Sequence, residues 1–299
     1  MENFTIIPVA ILIGYIIKKL KIFPDNSSVI LNQFVIYISL PAMILLQIPK
    51  INISIESVIP MVIAWVVMSI SALFIFFISK FYNFSKEITG SLLLVAVLGN
   101  TLFVGIPLIS AYLGNSSIPY ILMYDSLGSF IFLTIYGTFI ASYYSNKSEF
   151  NIKMLIKKIL FFPPFISLII ALFFIGTTFH PIIENVLSSF SATIVPVALV
   201  AIGLELNFKL TKDEIKPLSV ALTTKLILAP LIAYVVCVFF SWDNQASTVS
   251  IMQAGMGPMV TAGVLASLSG LAPKLSSAIV GYGILISFLT TGILFKLIT

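Results

Sequence analysis

Residues 88–113 read ITGSLLLVAVLGNTLFVGIPLISAYL, and residues 246–269 read ASTVSIMQAGMGPMVTAGVLASLS. Each run is uncharged and long enough to cross a hydrocarbon core, for which about 20 apolar residues suffice at a helical rise of about 1.5 Å. Each also carries helix-breaking and polar residues at its middle. The first has Gly99, Asn100, Thr101, Gly105 and Pro107; the second has Gln253, Gly255, Gly257, Pro258 and Thr261. Glycine weakens a helix, and proline removes a backbone donor and clashes with the preceding turn. In lipid such breaks are tolerated where the freed backbone is buried in protein or lines a cavity. The blander reading is that glycine and proline merely kink membrane helices, where both are common.

The rest of the chain extends the same pattern. Of 299 residues 59% are hydrophobic and 9% charged, with a mean hydropathy of +1.14. A soluble domain of this size needs more charge to cover its surface. Helices are predicted over 4–20, 28–48, 57–79, 88–113, 119–143, 159–176, 182–205, 217–240, 246–269 and 276–296. The fold class is therefore an all-α integral membrane protein of ten transmembrane helices. Runs of this length are too long for barrel strands, and backbone groups in lipid must be satisfied within a helix.

The net charge of +5 reflects lysines in short loops, so nucleic acid is not an expected partner. Odd-numbered loops hold Lys18, Lys19, Lys21, Lys80, Lys86, Lys147, Lys153, Lys157, Lys158, Lys209, Lys212, Lys216 and Lys274, whereas the even loops and termini hold Lys50 and Lys296. Thirteen against two is a strong positive-inside bias, which predicts a multi-pass plasma-membrane protein with both termini extracytoplasmic. The first apolar stretch is followed, not preceded, by lysines and reads as a retained helix rather than a signal peptide. All sixteen basic residues are lysines. One cysteine (Cys237) and one histidine (His180) offer neither a disulfide nor a metal cluster, so neither a metal nor a cofactor is expected. The sequons at Asn52 and Asn146 fall on opposite predicted faces and read as coincidence.

A shift of about 156 residues pairs Pro8 with Pro164, Pro24 with Pro181, Pro41 with Pro196, Pro60 with Pro217, Gly99 with Gly255 and Gly114 with Gly270, each within one residue. Such self-similarity predicts a repeat of 1–143 in 159–299, joined by a short cytoplasmic connection at 144–158. Five helices per half is an odd number, so the halves are inverted in the membrane. Inverted repeats with equivalent breaks are a signature of secondary transporters, whose substrate sits near the midplane.

The break residues supply the predicted substrate site: Asn100, Thr101, Gly105, Gln253, Gly257, Pro258 and Thr261. A break at mid-membrane leaves half-helices whose N-termini present unpaired amides and about half a positive charge, enough to hold a carboxylate without arginine. Asn100 adds a side-chain donor, and Gln253 and Thr261 are placed to orient the ligand or coordinate a cation. Ionisable residues within spans are functional candidates unless they snorkel. Asp125, inside helix five, and Lys225, inside helix eight, are the candidates for coupling ion or charge. Asp125 reads equally as a hydrated residue of an outward cavity. Glu184 and Glu205, at the ends of helix seven, read as interfacial, and Asn32 and Gln33 as ties between neighbouring helices.

The chain resembles the auxin efflux carrier family, within the wider group that includes bile acid–sodium symporters. The resemblance covers nearly the whole chain and rests on Pro8 with Gly14-Tyr15, Leu40-Pro41-Ala42, Asn100 through Gly105-Ile106-Pro107, Val195-Pro196 through Ile202-Gly203-Leu204-Glu205-Leu206, Lys225-Leu226 with Pro230, and Gln253 with Pro258. It implies two inverted five-helix repeats with helices four and nine crossing as broken helices, a scaffold of helices one, two, six and seven, and transport of small organic anions. The chain lacks the long cytoplasmic loop of the plant members and the proline beside Asn100. It looks more like the short microbial dicarboxylate permeases, which makes auxin itself an improbable substrate.

The function expected is secondary active transport of a small organic anion, a carboxylate, by an elevator-type alternating access, with Na+ or H+ as the coupling ion if one is used. The expected partners are that anion, the lipid bilayer and at most a second copy in a homodimer. The alternatives are a monovalent cation–proton exchanger or an ion-coupled symporter of another solute class. The exchanger is disfavoured because exchangers concentrate carboxylates at the crossing, and here the crossing is expected to hold Asn100, Thr101, Gln253 and Thr261 and no acid. A channel would give steady currents without saturating exchange. An enzyme would need a reactive constellation that the sequence does not display.

Overall fold

The structure is a computed structural model that describes residues 2–24, 26–50, 55–145, 153, 157, 160–205 and 212–299. Its described helices are α1 (Glu2–Lys19), α2 (Ser27–Lys50), α3 (Ile59–Phe81), α4 (Lys86–Val95), α5 (Gly105–Leu113), α6 (Asn115–Tyr144), α7 (Pro163–Phe173), α8 (Pro181–Glu205), α9 (Ile215–Phe239), α10 (Gln245–Ala254), α11 (Val260–Leu268) and α12 (Pro273–Ile298). The connection expected at 144–158 lies mostly outside the described residues, as do the lysines at 147, 158 and 209.

Six of these helices, α2, α3, α6, α8, α9 and α12, are long and apolar enough to cross a membrane. The chain is a multi-pass membrane protein. The sequence count of ten differs for identifiable reasons. α1 carries three charged residues (Glu2, Lys18, Lys19), and α7 has 11 residues. The runs 88–113 and 246–269 are each split in two. α4, α5, α10 and α11 have 10, 9, 10 and 9 residues, so each reaches about half of a 30 Å core.

Local chemistry sets where the half-helices start. The Ser85 hydroxyl accepts from Ile88 N–H to open α4, and Asn244 Oδ1 accepts from Ser247 N–H to open α10. Proline sits in the first turn of α3, α7, α8 and α12, where its missing donor costs nothing. Large apolar side chains such as Phe77, Phe173, Leu231 and Leu289 point outward, as a lipid-facing surface requires.

The helices pack as two groups. α1 lies along α8, and α2 lies against α7 and α8. The α1–α8 contact is close because Gly14 and Gly203 face each other's helix: a Cβ on Gly14 would strike Val200 O, and one on Gly203 would strike Ile11 O. In the other group α3 packs on α6, α9 and α10, while α4 packs on α6, α11 and α12. Trp65 of α3 donates from Nε1 to Leu127 O of α6 (3.0 Å) and meets Phe132 edge-on.

Candidate functional site

The two broken runs meet. Residues 96–104, between α4 and α5, run antiparallel past residues 255–259, between α10 and α11, with Gly99 bridged to Pro258. Asn100 N–H donates to Gly257 O (2.7 Å) and Met259 N–H donates to Leu98 O (2.9 Å). Backbone groups freed by one break are thus satisfied by the other, which is how unwound chain persists at membrane depth. Gln253 adds a side-chain strut, Nε2 donating to Thr101 O at 3.0 Å.

Asn100 is 1% exposed, and its orientation is forced by its partners. Its Oδ1 accepts from Phe103 N–H (3.1 Å) and Val104 N–H (3.3 Å), in the turn that leads into α5. Its Nδ2 must then point the other way, and that amide nitrogen is buried with no partner among the described residues. This corrects the sequence reading of the α5 N-terminus. Its first amides are not open to a ligand: Gly105 N–H donates to Asn100 O (3.0 Å) and Ile106 N–H to Leu102 O (3.1 Å). α11 is different. It begins after Met259 with no side-chain cap, so its first amides at 260–262 lack the helix's own acceptors.

A cavity of about 610 Å³ opens at this meeting point. Its polar lining includes Asn100, Asp125, Thr261, Gln33 and Lys157, and Tyr37, Phe103, Phe130 and Phe162 form much of its apolar wall. Phe130 of α6 stacks on Phe162, just before α7, with ring centroids 3.6 Å apart.

The predicted site residues separate into two sets. Asn100, Thr261 and Asp125 reach the cavity. Thr101, Gly105, Gln253, Gly257 and Pro258 are packed behind it. Thr101 Oγ1 donates to Asp125 Oδ1 (2.6 Å) and lies 3.1 Å from Ser129 Oγ. Gln253 is fully buried, its Oε1 without a partner among the described residues and 2.5 Å from where a Cβ on Gly105 would stand. Gly257 and the Pro258 ring pack onto α12 at Gly283. Lys225 is buried within α9 and points at Gly99.

Two expectations change with this geometry. The crossing does hold an acid, because α6 brings Asp125 to Thr101 from 24 residues away. Gln33 lines the cavity rather than tying helices, whereas Asn32 is a tie, donating to Glu205 at 3.0 Å. Asp125 and Lys225 each sit in a π-helical turn, Tyr124–Ser129 and Thr224–Leu228. Such turns recur at functional sites. Glu184, expected at an interface, pairs with Lys50 at 3.0 Å, both about half exposed.

A family model described as membrane transport protein matches residues 1–295, which is nearly the whole chain. The chain belongs to this family, the auxin efflux carriers. An uncharacterized transporter of Methanocaldococcus jannaschii is 27% identical to this carrier, over 92% of the present chain and 91% of its own. An uncharacterized transporter of Methanothermobacter thermautotrophicus is 22% identical, over 89% and 87%. The carrier is a membrane transporter and not an enzyme.

Proposed function

We propose that the chain is a secondary active transporter of a small organic anion, a carboxylate, working by alternating access. In this reading α4 with α5 and α10 with α11 each make one broken span. With α1 and α7 as further spans, ten helices form two inverted repeats, 1–143 and 159–299, in the plasma membrane with both termini outside. The group α1, α2, α7 and α8 is the scaffold, and the group holding the breaks moves against it as an elevator.

The observation that carries this reading is the unpartnered Nδ2 of Asn100 beside the uncapped start of α11, at one cavity. A donor amide and free helix N-terminal amides together suit a carboxylate oxygen. Thr261, in the first turn of α11, is placed to orient it. Asp125 at the same cavity would repel a second negative charge, so it is assigned the coupling cation, H+ or Na+.

The test is counterflow in liposomes with labelled mono- and dicarboxylates, with and without a sodium or pH gradient. Saturable exchange of a carboxylate is expected. The position of Asp125 favours one second reading, a monovalent cation–proton exchanger. Sodium-driven proton movement with no carboxylate present, and no carboxylate exchange, would establish that reading instead.

A further inference from the structure

We propose that the groove between α9 and α12 binds one acyl chain of a membrane phospholipid, and that this chain braces the second break from behind. The proposal does not depend on the carboxylate reading. The groove holds about 480 Å³ and shares no lining residue with the cavity at the crossing. Among the described residues ten line it and none is charged; Tyr234 and Thr290 carry its polar side-chain atoms.

The gap exists because α9 and α12 both pack on α10, while Ala229–Phe239 of α9 does not close onto α12. Both helices are long and apolar enough to cross a membrane, so the groove continues the lipid-facing surface. Its rim agrees: Ile227, Leu231, Ile293 and Leu297 are each more than half exposed. Lipid tails are as apolar as these side chains, so shape rather than hydrophobicity sets the site apart from the surrounding bilayer. A void between the two walls would forfeit dispersion contacts on both sides, and one unbranched chain restores them.

Length and end charge fit a phospholipid. The lining runs from Leu226 to Tyr234 and from Thr290 to Ile298, about 12 Å of helix on each side. One leaflet of a core about 30 Å thick is about 15 Å deep. The groove ends at the last turn of α12, where exposed Lys296 offers the charge that a lipid phosphate needs.

The floor of the groove ties it to the break. Pro230 and Leu294 line it, and the same two side chains stand behind Gly255: a Cβ there would lie 3.1 Å from Leu294 Cδ2 and 3.4 Å from Pro230 Cβ. Gly255 opens the unwound stretch 255–259, which bonds across to Leu98 and Asn100. A chain in the groove presses on one side of Pro230 and Leu294 while the break rests on the other. Without it, Leu294 is free to swing outward and Gly255 loses its backing.

The purified full chain, stripped of lipid in a sterol-type detergent without an alkyl tail, would be titrated with palmitoyl-oleoyl phosphatidylglycerol and with its chain-free headgroup, glycerophosphoglycerol. Wild type is expected to retain one phospholipid in native mass spectrometry, to melt several degrees higher with it, and not to respond to the headgroup. Thr290→Trp and Leu231→Trp fill the groove from opposite walls and should each retain the lipid at least tenfold more weakly; either suffices if the other does not fold. Leu73→Trp, on the lipid-facing side of α3, should retain it as wild type does. Amide hydrogen exchange over 255–259 should slow at least twofold when the lipid is added to wild type. The site is overturned by a wild type that retains no lipid, by unchanged retention in Thr290→Trp or Leu231→Trp, by an equal loss in Leu73→Trp, or by an equal response to the headgroup alone. Retention with no slowing of exchange at 255–259 overturns the brace.

Discussion

Asn100 performs two tasks with two ends of one amide, and a pair of substitutions separates them. Its Oδ1 accepts from Phe103 and Val104 N–H, and its Nδ2 has no partner among the described residues. Asn100→Ala removes both functions. Phe103 and Val104 N–H then lose their acceptor, and each buried amide left unsatisfied costs about 1–3 kcal/mol. A loss of roughly 2–4 kcal/mol is therefore expected, seen as a melting temperature several degrees lower. Asn100→Asp keeps an oxygen where Oδ1 stands, and its negative charge at the start of α5 is favoured by the helix dipole. It also buries a carboxylate at a 1% exposed position, so some stability is lost with it as well. It has no Nδ2 and would repel an anion. A hydrogen bond to a charged group is worth about 1.5–3 kcal/mol, or roughly ten- to a hundredfold in affinity. Asn100→Asp should thus stay folded and monodisperse yet bind a carboxylate at least tenfold more weakly. Melting in detergent and equilibrium binding of the counterflow-positive carboxylate measure the two arms. Wild-type affinity in Asn100→Asp would show that Nδ2 does not face the ligand, and the site would have to be sought elsewhere.

Further outcomes are expected from other contacts. Gly105→Ala places a Cβ 2.5 Å from Gln253 Oε1, so the strut to Thr101 must shift and the initial rate of counterflow should drop at least tenfold, with Gln253→Ala restoring part of it if the clash is the cause. Single cysteines at 116 and 243, in a Cys237→Ser background, should react with an impermeant thiol reagent in intact cells while one at 149 is protected; the reverse pattern would overturn the sidedness. Glu184→Gln removes one half of the Lys50 pair, which is exposed on both sides, and should change stability by less than about 1 kcal/mol in a melting experiment.

The residues that interrupt the helices were legible before any coordinates. Gly99, Gly105, Gly257 and Pro258 stand in the middle of apolar runs, and covalent geometry alone disfavours a continuous helix there. Their division of labour was not legible. Asn100, Thr101 and Gln253 are equally polar and equally central, yet Asn100 reaches the cavity while Gln253 is wholly buried as a strut. Side-chain direction at a break follows from which backbone partner the chain finds across it, and periodicity is silent once the helix stops. The free amides also differ from expectation for a local reason: the turn before α5 offers Asn100 O and Leu102 O to its first amides, and the extended chain before α11 offers no such acceptors to residues 260–262 among the described residues.

By itself the sequence determined that this chain lives in a membrane and that two of its apolar runs are interrupted. Both conclusions rest on additive, local quantities: the transfer cost of charge into lipid, and the backbone preferences of glycine and proline. Tertiary structure alone decided what surrounds the interruptions. Asp125 comes to Thr101 from α6, and Lys225 comes to Gly99 from 126 residues further along the chain, each from a π-helical turn with no sequence signal of its own. An acid and a base inside apolar helices reveal that something must offset their burial. What stands opposite them depends on how helices distant in sequence pack against one another, and no local preference records that.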